Sequence, residues 1–197
     1  MVKPSRARSK RSSRFFTSPC PRGSAHQGSV RFRDLSACRL RLRLMAWLPW
    51  APLAAASLHI TEEFIFPGGF PAWYRRYRAD PSRITPRFLV FINAGLLVTC
   101  GEIGIIGGTP LGVRAWLAIM ALLGSNGCWH AWASYKTRGY SPGVITGIGI
   151  YVPLAVFGYT RYIGSGAASL TTAAVALAIG GSYHLWSAAY HGRSQRP

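Results

Sequence analysis

Acidic side chains are scarce in this sequence: 5 Asp and Glu stand against 23 Lys and Arg in 197 residues. Charge of either sign is thin as well, 14% of residues, against roughly 25% in soluble domains. That excludes an ordinary water-facing globular domain. Residues 1–45 hold twelve of the basic residues and a single acid, Asp34, so the formal charge of +18 is largely the property of one end. With one acid and no apolar periodicity, residues 1–44 read as a basic, disordered extension. Met45, which directly precedes the first apolar run, is an alternative start.

Other absences narrow the field. The four cysteines form no Cys-x-x-Cys pair, so neither a zinc ribbon nor a redox motif is present. Cys100 and Cys128 lie in apolar runs and read as small buried hydrophobes. No stretch alternates apolar and polar residues as a membrane β-barrel requires. Apolar character recurs five times, which a cleaved signal peptide would not do. No internal repeat of the kind found in carriers is evident.

What is present is a series of five apolar segments: Trp47 to Phe66, Phe88 to Gly107, Ala115 to Tyr135, Gly143 to Tyr162 and Ala167 to Tyr190. Each approaches the roughly 20 residues that cross a bilayer core. The expected fold is all-α, a polytopic membrane bundle of about five transmembrane helices, with residues 45–191 as the domain and 192–197 as a short tail. Trp47, Trp50, Trp73, Tyr74, Tyr140, Tyr162 and Tyr190 stand at segment edges as interfacial anchors. Gly104 with Gly108, and Gly143 with Gly147, are spaced for close helix contact. The long connection, 67–87, interleaves aromatics and arginines from Trp73 to Arg78 as a surface-lying amphipathic segment would. Its place between two spans argues against nucleic acid, and the lipid bilayer is the expected partner. Counting loop charges without the extension puts the 67–87 and 136–142 loops in the cytoplasm.

Three of the five acids, Glu62, Glu63 and Glu102, lie inside apolar segments, where ionisable groups are costly and usually functional. Glu62 and Glu63 share a segment with His59, and at helical spacing His59 neighbours both. The third segment carries Asn126 and His130 one turn apart, and the fifth carries His184. His59, Glu62, Glu63, Asn126 and His130 are residue types of an acid–base site. His59, Glu63, His130 and His184 could ligate a divalent metal such as zinc. The pattern is neither His-Glu-x-x-His nor His-x-x-Glu-His, so the known zincin and inverzincin motifs are excluded. Ser141 and Pro142 read as the cap and first turn of the fourth helix, and Pro153 as a kink within it.

These residues resemble the HXXEE-domain family of bacterial membrane proteins. The likeness rests on His59-Ile60-Thr61-Glu62-Glu63, Phe66-Pro67-Gly68-Gly69-Phe70-Pro71, Asn126 with His130, and Tyr140-Ser141-Pro142-Gly143. It covers roughly residues 45–190 and implies a multi-pass protein of the inner membrane. It also implies His59, Glu62, Glu63, Asn126 and His130 as site residues, without naming a reaction. A fainter similarity is to intramembrane CAAX-type proteases, from which the sequence departs at Pro67, where an Arg is expected. Three functions follow as expectations: a metal-assisted membrane hydrolase acting on a lipid or lipid-like substrate, a proton-coupled carrier using the same His and Glu residues, or a non-catalytic scaffold.

Overall fold

The computed structural model describes residues 46–65, 68–77 and 85–193. The basic extension, the 192–197 tail beyond Arg193 and the 78–84 part of the long connection lie outside them. A short 3-10 turn, Leu48–Trp50, leads into six helices. They are α1 (Ala51–Ile65), α2 (Gly69–Tyr77), α3 (Pro86–Ile106), α4 (Pro110–Thr137), α5 (Val144–Gly164) and α6 (Leu170–Arg193). There is no strand among the described residues.

Helix starts follow local chemistry. Thr85 and Thr109 each accept a backbone N–H with the side-chain oxygen, from Phe88 at 3.2 Å and Gly112 at 3.0 Å, and each is followed by a proline at the first helical position. At the end of α4 the chain leaves through Arg138 in the left-handed region, φ 48°. In α5 the turn before Pro153 is π-wound over Gly147–Tyr151. A proline removes one N–H from the ladder, and the wider turn accommodates it.

α4 is the hub. Its most extensive contact is with α6, and it also meets α5, α3 and α1. Trp116, Leu117, Met120 and Leu123 of α4 are fully buried around Tyr151 of α5 and Leu48. The Trp116 indole donates to the Leu48 carbonyl at 2.8 Å, so the core residue with the largest ring also has its polar atom satisfied.

Among the described residues three helices are long and apolar enough to cross a membrane: α3, α4 and α5. α1, at 15 residues, is shorter than the expected first span. α6 has 24 residues and is not in that set. The exterior is strongly apolar, with Phe91 and Ile105 each 77% exposed and Leu111 65%. Patches of this kind are unusual on proteins that face water.

Several local expectations are corrected. Cys100 is buried, but Cys128 is exposed. Tyr74 is not an edge anchor: it packs inward on Phe70, in a cluster with Leu89, Trp73 and Trp129. The segment expected on the surface is the helix α2, whose Arg75 and Arg76 are exposed while its other face is buried. The glycine pairs separate: a Cβ on Gly104 would strike the Trp50 ring, whereas Gly108 faces open space. The close helix contact of α5 is Gly147 against Gly127, where an added Cβ on Gly127 would sit 2.5 Å from the Gly147 carbonyl oxygen.

Candidate metal centre

A helix turns about 100° per residue, so His59 and Glu63, four apart, share a face while Glu62 points elsewhere. The structure uses this divergence. Glu63 Oε1 lies 3.5 Å from His59 Nε2 and 3.1 Å from Nε2 of His130 on α4. The three donor atoms are all within 4.8 Å of one another. His59 and His130 are 3% and 1% exposed. At 3.5 Å the first contact is not a good hydrogen bond, and His59 Nε2 is buried without a hydrogen-bond partner.

Three neighbours enclose the cluster. Tyr151 lies against the His59 ring, centroids 4.5 Å apart, with its own hydroxyl buried and unpartnered. Phe70 of α2 sits edge-on to His130 at 5.9 Å. Gly143 passes directly over both imidazoles, where a Cβ would come within 2.7 Å of His59 Cε1 and 3.0 Å of His130 Nε2. It adopts φ 97°, a conformation that favours glycine.

The outward nitrogens are held by hydroxyls. His59 Nδ1 is 2.8 Å from Thr146 Oγ1, and His130 Nδ1 is 3.1 Å from Ser141 Oγ. Ser141 is in turn placed by its backbone N–H, which donates to Ser134 Oγ at 3.1 Å.

Glu62 meets the same polypeptide segment from the other side. Its Oε1 accepts from the Tyr140 hydroxyl at 2.5 Å and from the backbone N–H groups of Gly143 at 3.1 Å and Ile145 at 3.0 Å. Its Oε2 accepts from the Thr146 N–H at 2.8 Å and the Thr146 hydroxyl at 2.5 Å. Glu62 thus caps the start of α5 from another helix. Ser141, expected as that cap, makes no side-chain bond to the helix start and serves His130 instead. Burial, and then the adjoining Glu62 carboxylate, push the Tyr140 hydroxyl well above the ordinary phenol range, which keeps it a donor.

Of the residues singled out in the sequence, His59, Glu63 and His130 are brought together. Asn126 is not joined to them, and its Oδ1 is buried without a partner. His184 stands beyond Trp129, stacked on it at 6.4 Å, and Trp129 in turn lies against His130. It is not part of the three-donor group, and neither is Glu102. Thr146, Tyr151, Gly143 and Phe70 are the neighbours that sequence reasoning did not assign to the site. The Tyr140 to Thr146 stretch was visible, but local rules account for it as a helix start.

The three donors could hold a divalent ion. Donors about 2.0 Å from a tetrahedral zinc are about 3.3 Å from each other, and the two Glu63 contacts, 3.1 and 3.5 Å, bracket that value. Ligating histidines ordinarily have the other ring nitrogen held by a hydrogen bond, which both have here. This is a bundle of helices, three of the described ones long and apolar enough to cross a membrane, built around a buried centre of two histidines and one glutamate.

The chain belongs to the family described as "protein of unknown function with HXXEE motif", whose model matches residues 50–158, more than half of its length. The matched range includes His59, Glu62, Glu63 and His130 and leaves His184 outside. No curated protein and no solved structure matches the chain significantly.

Proposed function

We propose that the protein is a multi-pass membrane hydrolase whose metal centre is formed by His59, Glu63 and His130, acting on a lipid or lipid-like substrate. The observation that carries this reading is the convergence of two Nε2 atoms on one Glu63 oxygen at 3.5 and 3.1 Å. Two histidines and a glutamate with an open fourth position is a ligand set of hydrolytic zinc enzymes. When bound there, the ion supplies Lewis acidity to the reacting group.

The chain's own residues do the rest. His59, His130 and Glu63 bind and orient. Phe70, Gly143 and Tyr151 enclose the cluster, and the low-dielectric surroundings strengthen the electrostatic interactions inside. Tyr151 offers a buried hydroxyl beside His59. Asn126, expected to orient the set, has no such contact, and Glu62 belongs to the support of the site. The carrier reading gains no specific observation.

The five-span reading is part of the proposal. Pro49 packs against Gly107 at one end of the bundle, and Glu62 against Tyr140 at the other. The turn at Leu48–Trp50 and α1 together therefore run between the same two ends as α3.

Metal analysis of the full chain, purified in lipid nanodiscs and exposed to zinc, tests the reading. About one equivalent is expected in the native protein, and much less in His59→Ala, His130→Ala and Glu63→Gln. Native protein with no more zinc than these variants would overturn it. If zinc binds, incubation with a mixed ester and phosphoester lipid panel should show product formation that Glu63→Gln abolishes. Equal turnover in the two would end the hydrolase reading.

A further inference from the structure

We infer that Glu62 is a positioning residue which, through Thr146, fixes His59 in the tautomer with its proton on Nδ1 and so turns a bare Nε2 toward Glu63 and His130. The use of that tautomer rests on the metal-centre reading; the tautomer itself does not.

The argument is one of counting hydrogens. Three backbone N–H groups and two hydroxyls converge on the Glu62 carboxylate, and all five donate to it. An ionised carboxylate only accepts. The single hydroxyl hydrogen of Thr146 is therefore committed to Glu62 Oε2, at 2.5 Å. On its other side, 2.8 Å from His59 Nδ1, Thr146 Oγ1 has only a lone pair to offer. His59 Nδ1 must donate. A neutral imidazole has one N–H, so Nε2 is left bare. That is the nitrogen facing the centre, buried and without a hydrogen-bond partner.

The same geometry explains why two adjacent glutamates are needed. Glu63 faces the centre, and Glu62, rotated away on the helix, reaches the back of the same histidine through one hydroxyl. Glu62 also ties α1 to the start of α5, so the group that sets the tautomer also fixes the position of Gly143 above the rings.

The substitutions have distinct signatures. In Glu62→Gln, an amide N–H2 placed at Oε2 donates to Thr146, frees the hydroxyl hydrogen for Nδ1 and drives His59 to the opposite tautomer. Thr146→Val removes the constraint. Thr146→Ser keeps the hydroxyl and should restore it.

The test is nitrogen NMR of the metal-free full chain with 15N-labelled histidine in nanodiscs, His59 being assigned by His59→Gln. The native chain and Thr146→Ser should show the proton on Nδ1, Glu62→Gln should show it on Nε2, and Thr146→Val should show both forms. Zinc affinity, read by competition with a chromophoric chelator, should fall 10–100-fold in Glu62→Gln and Thr146→Val, the usual effect of losing a supporting bond to a ligand. Thr146→Ser should stay within about twofold of native. A native chain with the proton on Nε2 overturns the inference, as does a Thr146→Val spectrum identical to that of Thr146→Ser. If Glu62→Gln fails to fold, the Thr146 pair decides alone. A fixed Nδ1 proton in a protein that binds no zinc would sink the metal reading and leave this one standing. Zinc binding with the opposite tautomer would do the reverse.

Discussion

At the residue scale, the most exacting position near the centre carries no functional group. Gly143 sits at φ 97°, and a Cβ there would press on both imidazoles. Gly143→Ala should cost about 1–2 kcal/mol from the left-handed conformation alone, plus displacement of His59 or His130. The expected result is a lowered thermal midpoint together with a zinc affinity reduced at least about tenfold, the scale of a misplaced ligand. An unchanged affinity would show that the rings do not depend on this approach. The His59, Glu62 and Glu63 motif was legible in the sequence because i, i+3 and i, i+4 spacing needs no tertiary information. The parting of Glu62 from Glu63 follows from the helical turn alone. What each would reach did not follow, because Thr146 lies 87 and 84 residues from His59 and Glu62. His184 was singled out by residue type and depth, and Asn126 by its place one turn from His130 and by the family resemblance, signals that do not say what a side chain reaches on another helix.

At the scale of elements, the helices were legible as apolar runs, with ends shifted by local capping. The third run was expected from Ala115, but Thr109 and Pro110 begin α4 five residues earlier. The first was expected to span from Trp47, yet its opening residues form a 3-10 turn. Helix packing was less legible, because glycine spacing does not say what fills the space. Gly127 and Gly147 oppose each other, and Gly127→Ala would drive a methyl into the Gly147 carbonyl. Overpacking of this kind costs about 1–3 kcal/mol, so Gly127→Ala should lower the unfolding midpoint in detergent. Gly108→Ala, which faces open space, should stay within about 0.5 kcal/mol of native. Equal midpoints for the two would mean that α4 and α5 are not held by this contact.

At the scale of the whole molecule, the two ends of the bundle differ in charge and in content. One end carries exposed Arg75, Arg76, Lys136 and Arg138, and a Cβ on Gly139 would lie 3.8 Å from the Tyr77 hydroxyl, so α2 and the α4–α5 turn share that end. His130 lies seven residues before the end of α4, about 10 Å below it at 1.5 Å per residue, so the centre belongs to the basic end. The opposite end carries Arg114 near the start of α4 and Arg161 near the end of α5. Positive loops stay in the cytoplasm, so the basic end is expected on the cytoplasmic face. The extension at 1–44 complicates this, since its twelve basic residues would favour the other orientation if all of them counted. Charges count within about 15–20 residues of a span, and most of the extension is farther than that from Leu48. Single cysteines placed in a cysteine-free chain decide the matter. Lys136→Cys and Arg75→Cys should resist a membrane-impermeant maleimide in intact cells, while Gly108→Cys and Ser165→Cys should react. Removing residues 1–44 should leave both pattern and protein level unchanged, because the bundle's own loops carry the asymmetry. A reversed pattern after that deletion would show that the extension sets the orientation, and loss of the protein would show that it supports the fold.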